Sequence, residues 1–185
     1  MRVGVLSLQG GYAAHSALLA GIGHEPVDVR TASALAGVDG LVLPGGESST
    51  MLKLIGFSDL HDPLDAFVRA GRPVLATCAG LILAARRVTG PEQASFGWLD
   101  VDVARNAWGR QIESFEASAD EGGLPLVFIR APRLTRVGPG VTAVAHYEGE
   151  VVAVRQGPIV GASFHPELAG DATLHRLAFG DPGAP

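Results

Sequence analysis

Apolar residues fall into two textures along this chain. In the first half, short apolar or β-branched blocks stop at glycine or proline and give way to Ala/Leu-rich stretches with helical spacing. The blocks at 3–8, 26–30, 40–43 and 72–76 predict strands, and 12–21, 49–55, 63–70 and 80–87 predict helices. Buried strands that alternate with helices form a parallel sheet covered on both faces. After Pro91 the chain becomes mostly β. Short strand candidates at 98–103, 114–117, 126–129, 141–147, 150–155 and 159–163 are separated by Gly, Pro and Asp. A helix is predicted at 174–179, and DPGAP at 181–185 reads as a frayed tail. There is no internal repeat and no long linker, so the expectation is one α/β domain over 1–180, with a mostly parallel central sheet and antiparallel strands added in its later half.

Composition narrows the class. The 185 residues are 47% hydrophobic and 18% charged, enough apolar surface to offset chain entropy, which excludes a disordered chain. Net charge is −5, and 13 of the 14 basic residues are Arg scattered along the sequence. That distribution argues against a reader of nucleic-acid backbone. The opening MRVGVLSLQGG has a short apolar run and no Ala-x-Ala pattern, so it is expected to be a strand rather than a signal peptide. No segment approaches the ~20 continuous apolar residues of a membrane span. The single cysteine, Cys78, leaves no internal disulfide framework and no Cys-rich zinc site, and a reducing cytoplasm is the expected compartment.

Cys78 lies in VLATCAGLILAA, at the joint between a predicted strand and a helix that begins with small residues. A tight strand-to-helix turn pushes its middle side chain into the open at the carboxyl end of the strand, as in a nucleophile elbow, and the helix start favours a thiolate. Ala76 stands where the common elbow pattern has its first glycine. A thiolate nucleophile needs a base, and FHPEL supplies His165 directly after a strand; Pro166 holds His165 extended, and Glu167 can return to its other ring nitrogen. Cys78, His165 and Glu167 thus form a triad by role. His15, His24, His61 and His175 read as surface or packing residues; so does His146, although its neighbours Tyr147 and Glu148 leave it open as an alternative base. PGGES, at 44–48, closes a strand with two glycines whose backbone approaches a ligand closely. Gly45 and Gly46, together with the amide of Ala79, are candidate oxyanion donors, and Glu47 and Ser48 can meet the charged end of a substrate. LQGG, at 8–11, ends a strand on the same sheet edge, where ligands gather in open α/β folds.

With these pieces in place, the chain resembles the class I, triad-type glutamine amidotransferases, and within them the glutaminase subunits of pyridoxal 5′-phosphate synthase. VGVLSLQGGYAAH, LVLPGGESSTM, TCAGLILAA, RNAWGRQIESFE, FIRAP and FHPEL carry the resemblance, in the family's order and through most of the chain. TCAGL and HPE mark the superfamily broadly, whereas PGGESST together with RNAWGRQIESFE is much more specific to this subunit. The resemblance implies a three-layer fold with Cys78 as nucleophile, His165 as base and Glu167 as orienting carboxylate. It further implies that L-glutamine is held by Gly46, Glu47, Ser48, Arg105, Ile129 and Arg130. An Arg suits the α-carboxylate because a guanidinium pairs with it in fixed geometry.

The implied chemistry is thiolate attack on the side-chain amide, release of ammonia, and hydrolysis of a γ-glutamyl thioester. Ammonia would pass to a separate barrel-shaped synthase subunit that builds pyridoxal phosphate from a pentose phosphate and a triose phosphate. The resemblance implies no cofactor and no metal for this chain. Because a free glutaminase would waste glutamine, the loop at Gly45 and Gly46 is expected to be misarranged until the synthase docks near Gln9 and Gly10. After HPEL the chain reads AGDATLHRLAF where relatives have a Thr-Asp-rich helix start. Three other readings share part of the pattern: a glutaminase serving imidazole glycerol phosphate synthase, a cysteine peptidase-like relative on a similar fold, and a degenerate binding subunit.

Overall fold

The computed structural model describes residues 1–105, 107 and 114–181. Most of RNAWGRQIESFE and the last four residues of the expected tail therefore lie outside the described residues.

The chain opens with β1 (Arg2–Leu6), α1 (Tyr12–Gly21), β2 (Glu25–Val29), α2 (Ala32–Ala36), β3 (Gly40–Leu43), α3 (Ser48–Phe57), α4 (His61–Arg69), β4 (Val74–Thr77) and α5 (Ala79–Ala84). It continues with β5 (Ala85–Thr89), β6 (Leu99–Ala104), β7 (Phe115–Ser118), β8 (Pro125–Phe128), β9 (Arg133–Val137), β10 (Thr142–Tyr147), β11 (Glu150–Gln156), β12 (Ile159–Ala162) and α6 (Thr173–Phe179). The central sheet has seven strands in the order β10-β11-β12-β4-β3-β1-β2. Its β2, β1, β3, β4 and β12 run parallel, while β11 and β10 are antiparallel additions at one edge. This is the α/β fold expected, with a mostly parallel sheet and antiparallel strands.

Alternation along the strands divides the core into two layers. Leu41, Leu43, Val74 and Ala76 face one side, with Met51 and Ile55 of α3, Leu64 and Phe67 of α4, and Leu81 of α5. Val42 and Leu75 face the other, with Leu19 of α1, Phe128 of β8, and Leu174 and Phe179 of α6. Each central strand is buried on both faces, which is why these blocks read as continuous apolar runs rather than as half-polar strands. A three-stranded sheet, β5-β6-β9, packs in the first layer, and the hairpin β7-β8 in the second.

The expected helix at 80–87 is corrected: α5 stops at Ala84, and Ala85–Thr89 pairs in parallel with β6. The Ala-rich sequence has helical propensity, but the carbonyls of Leu83 and Ala85 accept from the amides of Phe96 and Gly97, and Arg86 pairs with Asp102 at 2.8 Å. Tertiary pairing thus overrides the local preference. Two elements were not expected. In α2 the Thr31 side chain caps the helix by accepting from the Ala34 amide at 3.3 Å, and β9 alternates as RLTRV beside β6. Among the described residues no helix is long and apolar enough to cross a membrane.

Candidate active site

The topology places three loops side by side. β4 lies between β3 and β12, with Ala76 beside Leu43 and Thr77 beside Ala162, so the segments that follow these strands emerge at one sheet edge. Those segments are PGGES, TCAG and FHPE. β1, on the far side of β3, delivers LQGG to the same edge.

Cys78 occupies the turn from β4 into α5 with φ 48° and ψ −103°, a conformation that a non-glycine residue adopts only under constraint. The constraint is visible: its amide donates to the Ala162 carbonyl at 2.8 Å, and its carbonyl accepts from the Ile82 amide at 3.2 Å. Gly80 makes the sharp bend possible. A Cβ there would stand 2.8 Å from both the carbonyl carbon and the Cβ of Leu43, so only glycine lets α5 start so close to β3. The thiol of Cys78 faces the Ile129 carbonyl at 3.9 Å.

His165 is fixed by its own amide, which donates to the Val127 carbonyl at 2.8 Å, and by Glu167, whose Oε1 lies 2.7 Å from His165 Nδ1. Burial alone would lower the pKa of His165, but hydrogen bonds to Cys78 and Glu167 outweigh it and raise it to about 10. Burial pulls the Glu167 carboxyl the other way, upward, and there too the hydrogen bond from His165 and the nearby His15 outweigh it, so its pKa is lowered. At neutral pH the pair is an imidazolium against a carboxylate.

A cavity of about 380 Å³ opens over this pair, within the usual range of about 300–1,000 Å³ for small-molecule sites. Cys78, His165, Glu167, Gly45, Gly46, Glu47, Ser48, Arg105, Ile129 and Arg130 line it, which brings together every expected site residue except Ala79. Ala79 is fully buried immediately behind the thiol, at the first position of α5. Glu47 caps α3, accepting from the amides of Ser49 and Thr50 and from both hydroxyls, and Arg105 Nη2 lies 3.2 Å from its Oε1. The Thr50 and Ser49 hydroxyls lower its pKa to about 2, so its carboxylate is a permanent anchor for Arg105. The Ser48 hydroxyl donates to Gln93 Oε1 at 2.9 Å rather than into the cavity.

Gln9 also lines the cavity. Its Oε1 accepts from the Glu47 amide at 2.9 Å, and the Gly11 amide donates to the Gly45 carbonyl at 2.9 Å, so LQGG and PGGES brace each other. Gly10, at φ 91°, allows the approach: a Cβ there would lie 3.0 Å from the Gly46 Cα. His146 sits on edge strand β10, pairs with Glu121 at 3.3 Å and does not line the cavity. His15, expected as a surface or packing residue, is a packing one: it is fully buried, and the sequence reading missed its contact with the triad carboxylate, Nε2 lying 3.3 Å from Glu167 Oε2. The sequence signal was its place four residues before Leu19, on the inward face of α1.

Residues 5–179 match the SNO glutamine amidotransferase family. A relative in Shouchella clausii, a pyridoxal 5′-phosphate synthase subunit PdxT, is 49% identical over 95% of this chain and 92% of its own length. The subunit of the same name in Geobacillus kaustophilus is 48% identical, covering 96% of this chain and 91% of the relative. A crystal structure of a glutamine amidotransferase superposes with a TM-score of 0.88 at 42% identity, over 95% of this chain and 96% of that one. A Thermotoga maritima glutamine amidotransferase, at 16% identity and a TM-score of 0.61 over 90% and 76% of the two chains, shares the fold. With this match along nearly the whole chain, the protein belongs to the SNO glutamine amidotransferase family.

Proposed function

We propose that this chain is a glutaminase that hydrolyses L-glutamine to L-glutamate and ammonia, and that it passes the ammonia to a synthase subunit making pyridoxal 5′-phosphate. The observation that carries the reading is the convergence of Cys78, His165 and Glu167 at the carboxyl ends of adjoining strands, under one cavity. In this reading residues 1–180 act as one unit, and a reducing compartment such as the cytoplasm keeps the Cys78 thiol available.

The Cys78 thiolate attacks the side-chain carbonyl carbon of glutamine while His165 holds the proton. Backbone amides at Gly45, Gly46 and Ala79 receive the developing oxyanion. His165 then protonates the departing nitrogen, the C–N bond breaks, and ammonia leaves a γ-glutamyl thioester on Cys78. Neutral His165 takes a proton from water as its oxygen attacks the thioester; the C–S bond breaks, releasing glutamate and restoring the thiolate and imidazolium. Arg105, held by Glu47, pairs with the substrate α-carboxylate, while Arg130 and the Ile129 carbonyl bound the rest of the pocket. In this reading, docking of the synthase near Gln9 and Gly10 acts on the oxyanion loop through its contacts with LQGG. The two hydrogen bonds between LQGG and PGGES support this coupling.

The test is glutamate release by the purified chain, alone and with a pyridoxal 5′-phosphate synthase subunit, beside Cys78→Ala. Low release alone that rises with the partner and vanishes in the variant is the expected result. No release in either mixture from a folded chain would overturn the reading.

A further inference from the structure

Behind the triad lies a second pair of histidines. His15 of α1 and His175 of α6 are both fully buried, and their rings meet with His15 Nδ1 at 2.9 Å from His175 Nε2. The other nitrogen of His15, Nε2, faces two oxygens: Thr77 Oγ1 of β4 at 3.2 Å and Glu167 Oε2 at 3.3 Å. Among the described residues, neither Glu167 Oε2 nor His175 Nδ1, both buried, finds a hydrogen-bond partner.

Hydrogen placement decides what this cluster does. Burial lowers the pKa of His15 to about 4 and that of His175 to about 3, so each carries one ring proton at neutral pH. If His15 carried its proton on Nδ1, its Nε2 lone pair would face the Glu167 carboxylate and an N–H of His175 would be stranded at Nδ1. If His175 donates from Nε2 to His15 Nδ1, the His15 proton sits on Nε2, directed at Thr77 and Glu167, and the atom left over on His175 is an acceptor. An orphaned acceptor is the less costly of the two, and a carboxylate oxygen favours a facing N–H.

We infer that His15 is a positioning residue for the hydrolysis. Its Nε2–H steadies the second oxygen of Glu167 so that the first stays on His165, and His175 locks the tautomer that makes this possible. The inference rests on the triad reading proposed above. His15 does not line the cavity, so it acts on turnover through Glu167 rather than on substrate binding.

The test uses the full chain with its synthase partner and reads kcat and KM for glutamine hydrolysis. Gln places an amide N–H near the Nε2 position, whereas Asn does not reach it, and both are small polar side chains. We expect His15→Asn and His15→Leu to lower kcat by about 10–100-fold with KM within about 3-fold, and His15→Gln to stay within about 3-fold of the parent. In a Glu167→Gln background, His15→Asn should cost less than about 3-fold, since there is no carboxylate left to position. Equal kcat for folded His15→Asn, His15→Gln and parent overturns the inference. So does a His15→Asn loss that persists undiminished in the Glu167→Gln background. If instead Cys78→Ala keeps full activity, the triad reading itself fails, and the inference with it.

Discussion

Gly45 lies directly beneath the ring of His165. A Cβ on Gly45 would stand 2.8 Å from His165 Nδ1 and closer still to Cε1. The ring has no freedom to retreat, because Glu167 holds Nδ1 at 2.7 Å and the backbone amide of His165 is tied to Val127. The Gly45 loop and the His165 ring, the proposed oxyanion loop and base, are therefore packed as one piece. Gly45→Ala is predicted to displace the imidazole or the loop and to lower kcat by at least about 100-fold, the scale of effect that a misplacement of about 1 Å brings. Steady-state glutamine hydrolysis with the partner present, beside a melting curve, checks this; a folded Gly45→Ala chain with parental kcat would show that the loop and ring move independently.

The turn at Cys78 makes a second prediction. With φ at 48°, a side chain at this position carries steric strain that glycine does not. Cys78→Gly and Cys78→Ala should both abolish hydrolysis, yet Cys78→Gly should be the more stable, by about 1 kcal/mol. Urea unfolding of the two variants measures the difference directly. Equal midpoints would mean that the elbow is not strained.

Much of this site was legible because chemistry and punctuation coincide in the sequence. The Gly and Pro that stop β3, the small residues after β4 and the Pro166 after β12 mark strand ends, and parallel topology sends those ends to one edge. Arg105, Ile129 and Arg130 were legible only through family resemblance, since nothing in their local pattern separates them from surface or packing residues. His15 and His175 escaped because their partners are about 160 residues apart in sequence, although each lies four positions before an inward-facing apolar residue, Leu19 and Phe179. The end of α5 at Ala84 was hidden for a related reason: the alternative partner for those backbone groups is β6, which local propensity does not report.

Glu47 performs two tasks that substitutions can separate. Its carboxylate caps α3 and also holds Arg105. Arg105→Ala should raise KM for glutamine by about 10–100-fold, the worth of a charge-assisted contact, with a smaller change in kcat. Glu47→Ala should raise KM similarly and also lower stability by about 1 kcal/mol through the lost cap. Glu47→Gln keeps a cap oxygen but no charge, so its KM should rise while its stability stays near that of the parent. Kinetics and unfolding on the three variants decide; an unchanged KM in all of them would remove Arg105 from the substrate site.

The buried histidines fix the response to acid. His15 and His175 have pKa values lowered by burial to about 4 and about 3, while an unfolded chain protonates both near 6.5. Between pH 6.5 and about 4 the unfolded state therefore binds protons that the native state does not, and stability must fall as pH falls, by about 1 kcal/mol per pH unit for each histidine. Most exposed carboxylates remain ionised down to about pH 5, so the interval from pH 7 to 5 isolates the histidines. On the alkaline side the sign reverses. The raised pKa of His165 contributes stability that is fully present below about 6.5 and is lost as pH climbs through about 10. Urea midpoints measured at pH 7, 6 and 5 should decline, and His175→Gln, which removes one titrating group from the cluster, should make the decline shallower. A midpoint constant from pH 7 to 5 would mean that the two imidazoles gain their protons in the folded chain as readily as in the unfolded one.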